Sequence, residues 1–251
     1  MTDRARRASS CCLAAVLTRA GIAGLRAKSP GGRGLWEREN YAGRTVGLYA
    51  GPASALAAAV AVGRVRPAAG FAVLAAGACG AWDDVAGDHR RGLRAHLSAL
   101  RDGEVTSGAV KLFGISAAGL VAGALLKERF PDKVLAGIVI AGTAHFVNLV
   151  DVRPGRAAAA VIALGAPGLL REGPGGQSAA AAVGAAAAVL PDDLGERLML
   201  GDAGAHALGA ALGTAAVARN GRAGLLACAV ALVAAAAYGD RVSGAARALG
   251  A

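Results

Sequence analysis

Long runs of Ala, Val, Leu and Gly alternate with short charged stretches along the whole chain. Nine apolar runs stand out, at roughly 9–25, 47–62, 67–82, 110–126, 134–150, 157–170, 178–190, 206–218 and 224–238. Several fall short of the roughly 20 residues that a straight spanning helix needs. Their charged flanks are then expected to snorkel toward the membrane edge. Helix is the expected state, because backbone groups in lipid must be satisfied within the segment. The pattern predicts an all-α, polytopic transmembrane helix bundle of about nine spans in a single domain, 1–251. Pro67 and Pro167 are placed to begin or bend helices, and "REGPGGQ", 171–177, reads as a turn. The opening "MTDRARRASSCCLAAVLTRAGIAGL" is basic and then apolar, like a signal peptide. It lacks a convincing small-x-small cleavage site and reads as an uncleaved first span, interrupted by Arg19.

Composition strengthens this picture. The 251 residues are 55% hydrophobic and only 18% charged, with a mean hydropathy of +0.48. That is too apolar for an ordinary soluble domain. Aromatic residues make up 4%, so small side chains dominate and allow helices to approach closely. The net charge of +10 does not point to nucleic acid. Its basic residues lie in short loops, where they set topology and meet anionic lipid, and no basic segment is rich in aromatics. Cys11, Cys12, Cys79 and Cys228 form no CxxC pair and read as small buried helix residues.

The acids sit where runs begin and end. "VLAAGACGAWDDVAGDHRRG", 73–92, closes the third run on Asp83 and Asp84. Asp151 ends the fifth, in "HFVNLVDVRPGRA", and Asp202 precedes the eighth, in "LMLGDAGAHALG". Two spans separate each site from the next, and an even number of crossings returns the chain to the same side. All three sites are therefore expected on one membrane face. Loops on that side carry Arg33, Arg38, Arg44, Arg90, Arg91, Arg94, Arg153 and Arg156 among others, and the bias places the face in the cytoplasm.

Each motif admits two readings. Asp83 and Asp84 are solvated acids at a helix end, or hard oxygen ligands for Mg²⁺. His145, Asn148 and Asp151 drift along one helix face; they are interhelical hydrogen-bonding groups or part of a site. Arg153 and Arg156 set topology or bind phosphate. Asp202 is an N-cap or, among glycines at a helix start, a ligand to a metal. Lys111 reads on spacing as a snorkelling anchor, or as a phosphate ligand. On one face these groups describe a metal–phosphate site at the membrane surface.

"WDDVAG", "NLVD" followed by "PGRA", and "MLGDAGAHALG" resemble, in order and spacing, the motifs of the polyprenyl-phosphate N-acetylhexosamine-1-phosphate transferases. That superfamily comprises phospho-MurNAc-pentapeptide transferase and its relatives. The resemblance runs from about Asn40 onward, with "NYAGRTVGLYAGP" similar to an early cytoplasmic loop and "YGDRVSGAARAL" to the closing segment. It implies a helix bundle in the cell membrane with a cytoplasmic Mg²⁺ site. It also implies transfer of a sugar-1-phosphate from a UDP-sugar to a polyprenyl phosphate, in cell-envelope glycan assembly. Asp202 and Asp83 would bind Mg²⁺, with Asp83, Asp84 and Asp151 catalytic. Lys111, Asn148, Arg153 and Arg156 would bind substrate.

This chain departs from the family pattern at two motif positions. Pro154 stands where a second aspartate follows Asp151, and His145 stands where the family's first asparagine falls. The histidine-rich late loop of the peptidoglycan enzyme is also absent. The alternative is a non-catalytic homologue, a membrane scaffold or lipid-phosphate binder; homo-oligomerisation is left open. An ion-coupled transporter is disfavoured, because its polar groups belong near the midplane and these acids lie at span ends.

Overall fold

The computed structural model describes residues 2–87 and 98–248; Arg90, Arg91 and Arg94 lie outside them. The architecture is nearly all helical. The helices are α1 Asp3–Lys28, α2 Ala50–Gly63, α3 Pro67–Ala86, α4 Ser107–Leu126, α5 Phe130–Leu149 and α6 Arg156–Leu169, then α7 Gly173–Leu194, α8 Gly201–Arg219, α9 Arg222–Ala237 and α10 Gly239–Ala248. The exception is a small antiparallel hairpin, β1 Glu37–Glu39 and β2 Thr45–Gly47, with Arg38 opposite Val46. The Asn40 side chain closes its turn by accepting the Ala42 and Arg44 amides at 2.9 and 3.0 Å. This local option competes with helix for Asn.

The interior is built mostly of small residues, with a few large ones such as Ile115, Ile140 and Leu208, and many large apolar residues lie on the perimeter. Ala58, Ala122, Ala136, Ala144, Ala180, Ala185 and Ala210 are fully buried. Leu56, Phe71, Leu74, Trp82, Phe113, Leu125, Leu164, Val230 and Val233 are exposed. A water-soluble bundle sorts the other way. Small residues inside allow backbones to touch, and a belt of exposed Leu, Val and Phe this large suits a lipid solvent. At Gly184 a methyl group would collide with the Cys11 carbonyl, and at Gly123 with the Lys133 carbonyl. These glycines set the α1–α7 and α4–α5 crossings.

Among the described residues, three helices are long and apolar enough to cross a membrane: Asp3–Lys28, Ser107–Leu126 and Phe130–Leu149. The pair Arg222–Ala237 and Gly239–Ala248, bent by 83°, makes a fourth if taken as one span. The expectation of about nine spans is corrected to this smaller number. The physical reason is that Ala and Gly runs suit a protein interior as well as they suit lipid. α2 and α6 have 14 residues each, only about 21 Å of helix. α7 and α8 are longer, but their glycines, polar groups and burial mark them as inner helices.

Three further expectations change. Residues 173–177 are not a turn: α7 starts at Gly173 with Pro174 in its first turn, a position proline favours. Gly175 and Gly176 serve close packing there, against the Ala215 and Arg171 carbonyls. The cysteines are free, with Cys12 exposed and the other three partly buried, because they lie on outward-turned helix flanks. The end of the bundle opposite the acids is basic as well. Arg7 donates to the Arg171 carbonyl at 3.0 Å, Lys127 to that of Asn220 at 3.1 Å, and Arg222 pairs with Asp132 at 2.7 Å. The charge bias between the two ends is therefore narrower than loop counting suggested.

Gly184→Ala should destabilise the bundle by about 1–3 kcal/mol, the usual cost of overpacking. Gly24→Ala, which meets open space, should change little. Thermal melting of the two variants in one detergent checks this, and equal melting temperatures would refute the assigned crossing.

Candidate functional site

Asp83 and Asp84 occupy the last turn of α3, about 100° apart around the helix, and the structure gives them different partners. Asp84 reaches the start of α8. Its Oδ1 accepts the Asp202 amide at 3.0 Å and its Oδ2 the Ala203 amide at 2.9 Å. One carboxylate thus satisfies two of the orphan donors at a helix N-terminus, where a negative charge is favoured. Gly201 makes room: its φ is +60°, and a Cβ would crowd both Asp84 oxygens at 3.1 Å. Gly80, a turn earlier on α3, has no space for a methyl against the Asp202 backbone. The carbonyl of Asp84 accepts Arg38 Nη2 at 2.9 Å, which ties the hairpin to the same corner.

Asp83 faces Lys111, which enters from the first turns of α4. The Lys111 ammonium donates to Asp83 Oδ2 at 2.6 Å and also to Asp202 Oδ2. The Ser107 hydroxyl adds a hydrogen bond to Asp83. Lys111 does not snorkel outward; its side chain is only 14% exposed and turns in to bridge two acids. The repulsion between neighbouring carboxylates is thus resolved twice, by helix amides for Asp84 and by an ammonium for Asp83.

Asp151 lies in the α5–α6 loop, and no hydrogen bond reaches its carboxylate among the described residues. Burial, then the charges of Asp193, Asp202 and Asp84, hold it well above the ordinary carboxylate range. The three acidic motifs therefore meet at one end of the bundle. Asn148, Lys111 and His145 line a 370 Å³ groove between α4, α5 and α9, whose remaining wall is mostly apolar, including Leu112, Ile138 and Val233.

A second cavity, 310 Å³, is lined by Asp151. The hairpin supplies Asn40 and Tyr41, the α5–α6 loop Asp151, Arg153 and Pro154, and the end of α7 Asp193. The Arg153 guanidinium lies 4.8 Å from the Tyr41 ring centre, a cation–π distance. Arg156 opens α6, and its side chain has no hydrogen bond or ion pair among the described residues.

The hairpin also braces the loop before Asp202. Gly47 accepts the Met199 amide at 2.9 Å and donates to the Arg197 carbonyl at 3.2 Å. Asn40 and Arg44 hold Glu196 at 2.6 and 3.0 Å.

Several residues in this centre were not flagged in the sequence. Asp193 was hidden in "PDDLGERLMLGD", and only its fold neighbours reveal it. His206 was visible in "GDAGAHALG". Its Nδ1 hydrogen-bonds the Asp202 carbonyl at 2.7 Å, and its ring lies edge-on to His145 at 5.4 Å. The Nε2 atoms of both are buried without partners among the described residues.

The donor set suits a hard divalent cation. Asp83 and Asp202 already converge on one cationic group, and Mg²⁺ uses one or two carboxylates and completes its shell with water and phosphate. Among the described residues no set of three or more His, Cys, Asp or Glu side chains is arranged to hold a metal.

A raised carboxyl favours its protonated form in the fold. Its stabilising contribution is full below the ordinary carboxylate range and is lost as pH rises through the raised value. Asp151→Asn should therefore melt higher than wild type in EDTA at pH 8, by about 2–4 °C per kcal/mol of repulsion removed. The gap should close on acidification. An unchanged gap between pH 8 and pH 4 would show that Asp151 is not strained by its neighbours.

No protein-family model matches this chain, and no curated protein matches it.

Proposed function

We propose that the protein is an integral-membrane, Mg²⁺-dependent transferase that moves a sugar-1-phosphate from a UDP-sugar to a polyprenyl phosphate. The acidic end would face the cytoplasm and the helix bundle would sit in the cell membrane as a multi-pass unit. One observation carries the reading: Lys111, which bridges Asp83 and Asp202, lines a mostly apolar groove with His145 and Asn148, while Asp151 and Arg153 line a second, less apolar cavity. That arrangement offers an isoprenoid chain one side and a charged nucleotide the other.

In this reading Asp83 and Asp202 would hold Mg²⁺, and the chemistry it would supply is neutralisation of charge on the diphosphate. Asp84 keeps Asp202 in place through the α8 amides. Lys111 meets the lipid phosphate at the head of the groove, with Asn148 beside it. Arg153 and Arg156 meet phosphate oxygens of the donor, and Asp151 stands between donor and acceptor, able to hold a proton.

A second reading has its own support. Lys111 already neutralises Asp83 and Asp202, and both Asp84 oxygens are committed to backbone amides. Such a centre could bind a lipid phosphate without transferring sugar, as a non-catalytic scaffold would.

Purified protein given polyprenyl phosphate, a panel of UDP-sugars and Mg²⁺ should release UMP, and EDTA should stop it. Asp202→Asn should lower the rate at least about 100-fold, the scale of losing one preorganised electrostatic group. Lipid-phosphate binding with no UMP from any donor would favour the scaffold.

A further inference from the structure

Asp193, the penultimate residue of α7, is only 4% exposed. Its Oδ2 accepts the Gly155 amide at 3.1 Å. Gly155 has φ +74° and starts α6, so this bond pins the turn that carries Asp151 and Arg153. That structural duty uses one oxygen. Oδ1 accepts nothing among the described residues, and the side chain forms part of the wall of the 310 Å³ cavity. Asp193 is also the leading charge acting on Asp151. The cavity lining thus holds two carboxyl groups, and among the described residues neither has a donor for its free oxygens.

The same cavity also carries a cationic group. Arg153 lies over Tyr41 with no carboxylate partner among the described residues. A flat guanidinium without a counter-ion suits phosphate. The cavity thus calls for a ligand that is anionic at one end and offers O–H or N–H donors at the other, which describes a nucleotide. Pro154 cannot supply a side-chain acceptor at its position. Asp193, arriving from another helix, supplies one nearby.

We propose that Asp193 is a specificity-determining residue of the donor cavity, where Oδ1 accepts a hydrogen bond from a hydroxyl or N–H group of the donor's nucleoside half. The assignment rests on the transferase reading. Asp193→Asn keeps an oxygen for the Gly155 amide and removes the charge and one acceptor. It therefore separates nucleoside recognition from pinning the turn.

The test is calorimetric binding to the full chain in detergent with Mg²⁺, using UMP, 2′-deoxy-UMP and 3-methyluridine 5′-monophosphate as probes. Wild type should discriminate against at least one analogue by about 10-fold or more, since losing a donor leaves a buried acceptor unpaired. D193N should weaken UMP by about 10-fold. The analogue lacking the donor that meets Asp193 should bind wild type and D193N alike, while polyprenyl-phosphate binding is unchanged. UMP bound equally by wild type and D193N would overturn the assignment and leave the transferase reading standing. Equal losses for UMP and both analogues would overturn it too, reducing Asp193 to a brace for the turn. No nucleotide binding by wild type would remove the transferase reading itself and this assignment with it. Should D193N fail to fold, the analogue series on wild type still decides, because equal affinity for all three probes overturns the proposal.

Discussion

The grip of Asp84 on the first amides of α8 is the interaction on which the rest of the centre depends. Two charge-assisted hydrogen bonds from one carboxylate fix where α8 begins relative to the end of α3, each of a kind worth about 1.5–3 kcal/mol. Asp202 belongs to the same turn, so its side chain is placed by that grip. Gly80 and Gly201 exist in these positions because the contact is too close for a side chain. Asp83, one residue earlier, is then delivered to the same side as Asp202, and a single ammonium from α4 spans both.

This geometry needs a bundle that brings backbones unusually near one another. Ala and Gly make up most of the interior, and many of the large apolar residues are turned outward. Lipid removes the incentive to bury Leu and Phe, so packing is governed by shape and small residues. The same principle explains why polar groups gather at one end. Within hydrocarbon each would need a partner, whereas at the helix ends the hairpin and loops supply amides, arginines and carboxylates. The hairpin has no counterpart among the apolar runs, yet it braces the loop before Asp202 through Gly47 and Glu196.

Much of the centre was legible in the sequence. Asp83, Asp84, Asp151 and Asp202 stood out because ionisable residues at the edges of apolar runs are costly and conspicuous, and counting crossings placed them together. Their division of labour was not legible. Adjacent aspartates look equivalent in a string, and only helix phase separates Asp84, which caps α8, from Asp83, which meets Lys111. Lys111 itself looked like an outward anchor, since spacing does not say which way a long side chain turns. Asp193 escaped notice for a related reason: its partner Gly155 lies 38 residues away, and nothing local distinguishes it from Asp192.

Hydrophobic patterning by itself determined that the chain is helical, that its helices are built of small residues, and that its acids collect at helix ends. Local chemistry suffices for that, because period, propensity and the cost of charge in an apolar setting all act over a few residues. The number of helices suited to lipid, the hairpin, the pairing of Lys111 with two acids and the approach of Asp193 to Asp151 were decided only by tertiary structure. Those depend on which faces meet across the bundle, and an alanine-rich face is equally content against lipid or against another helix.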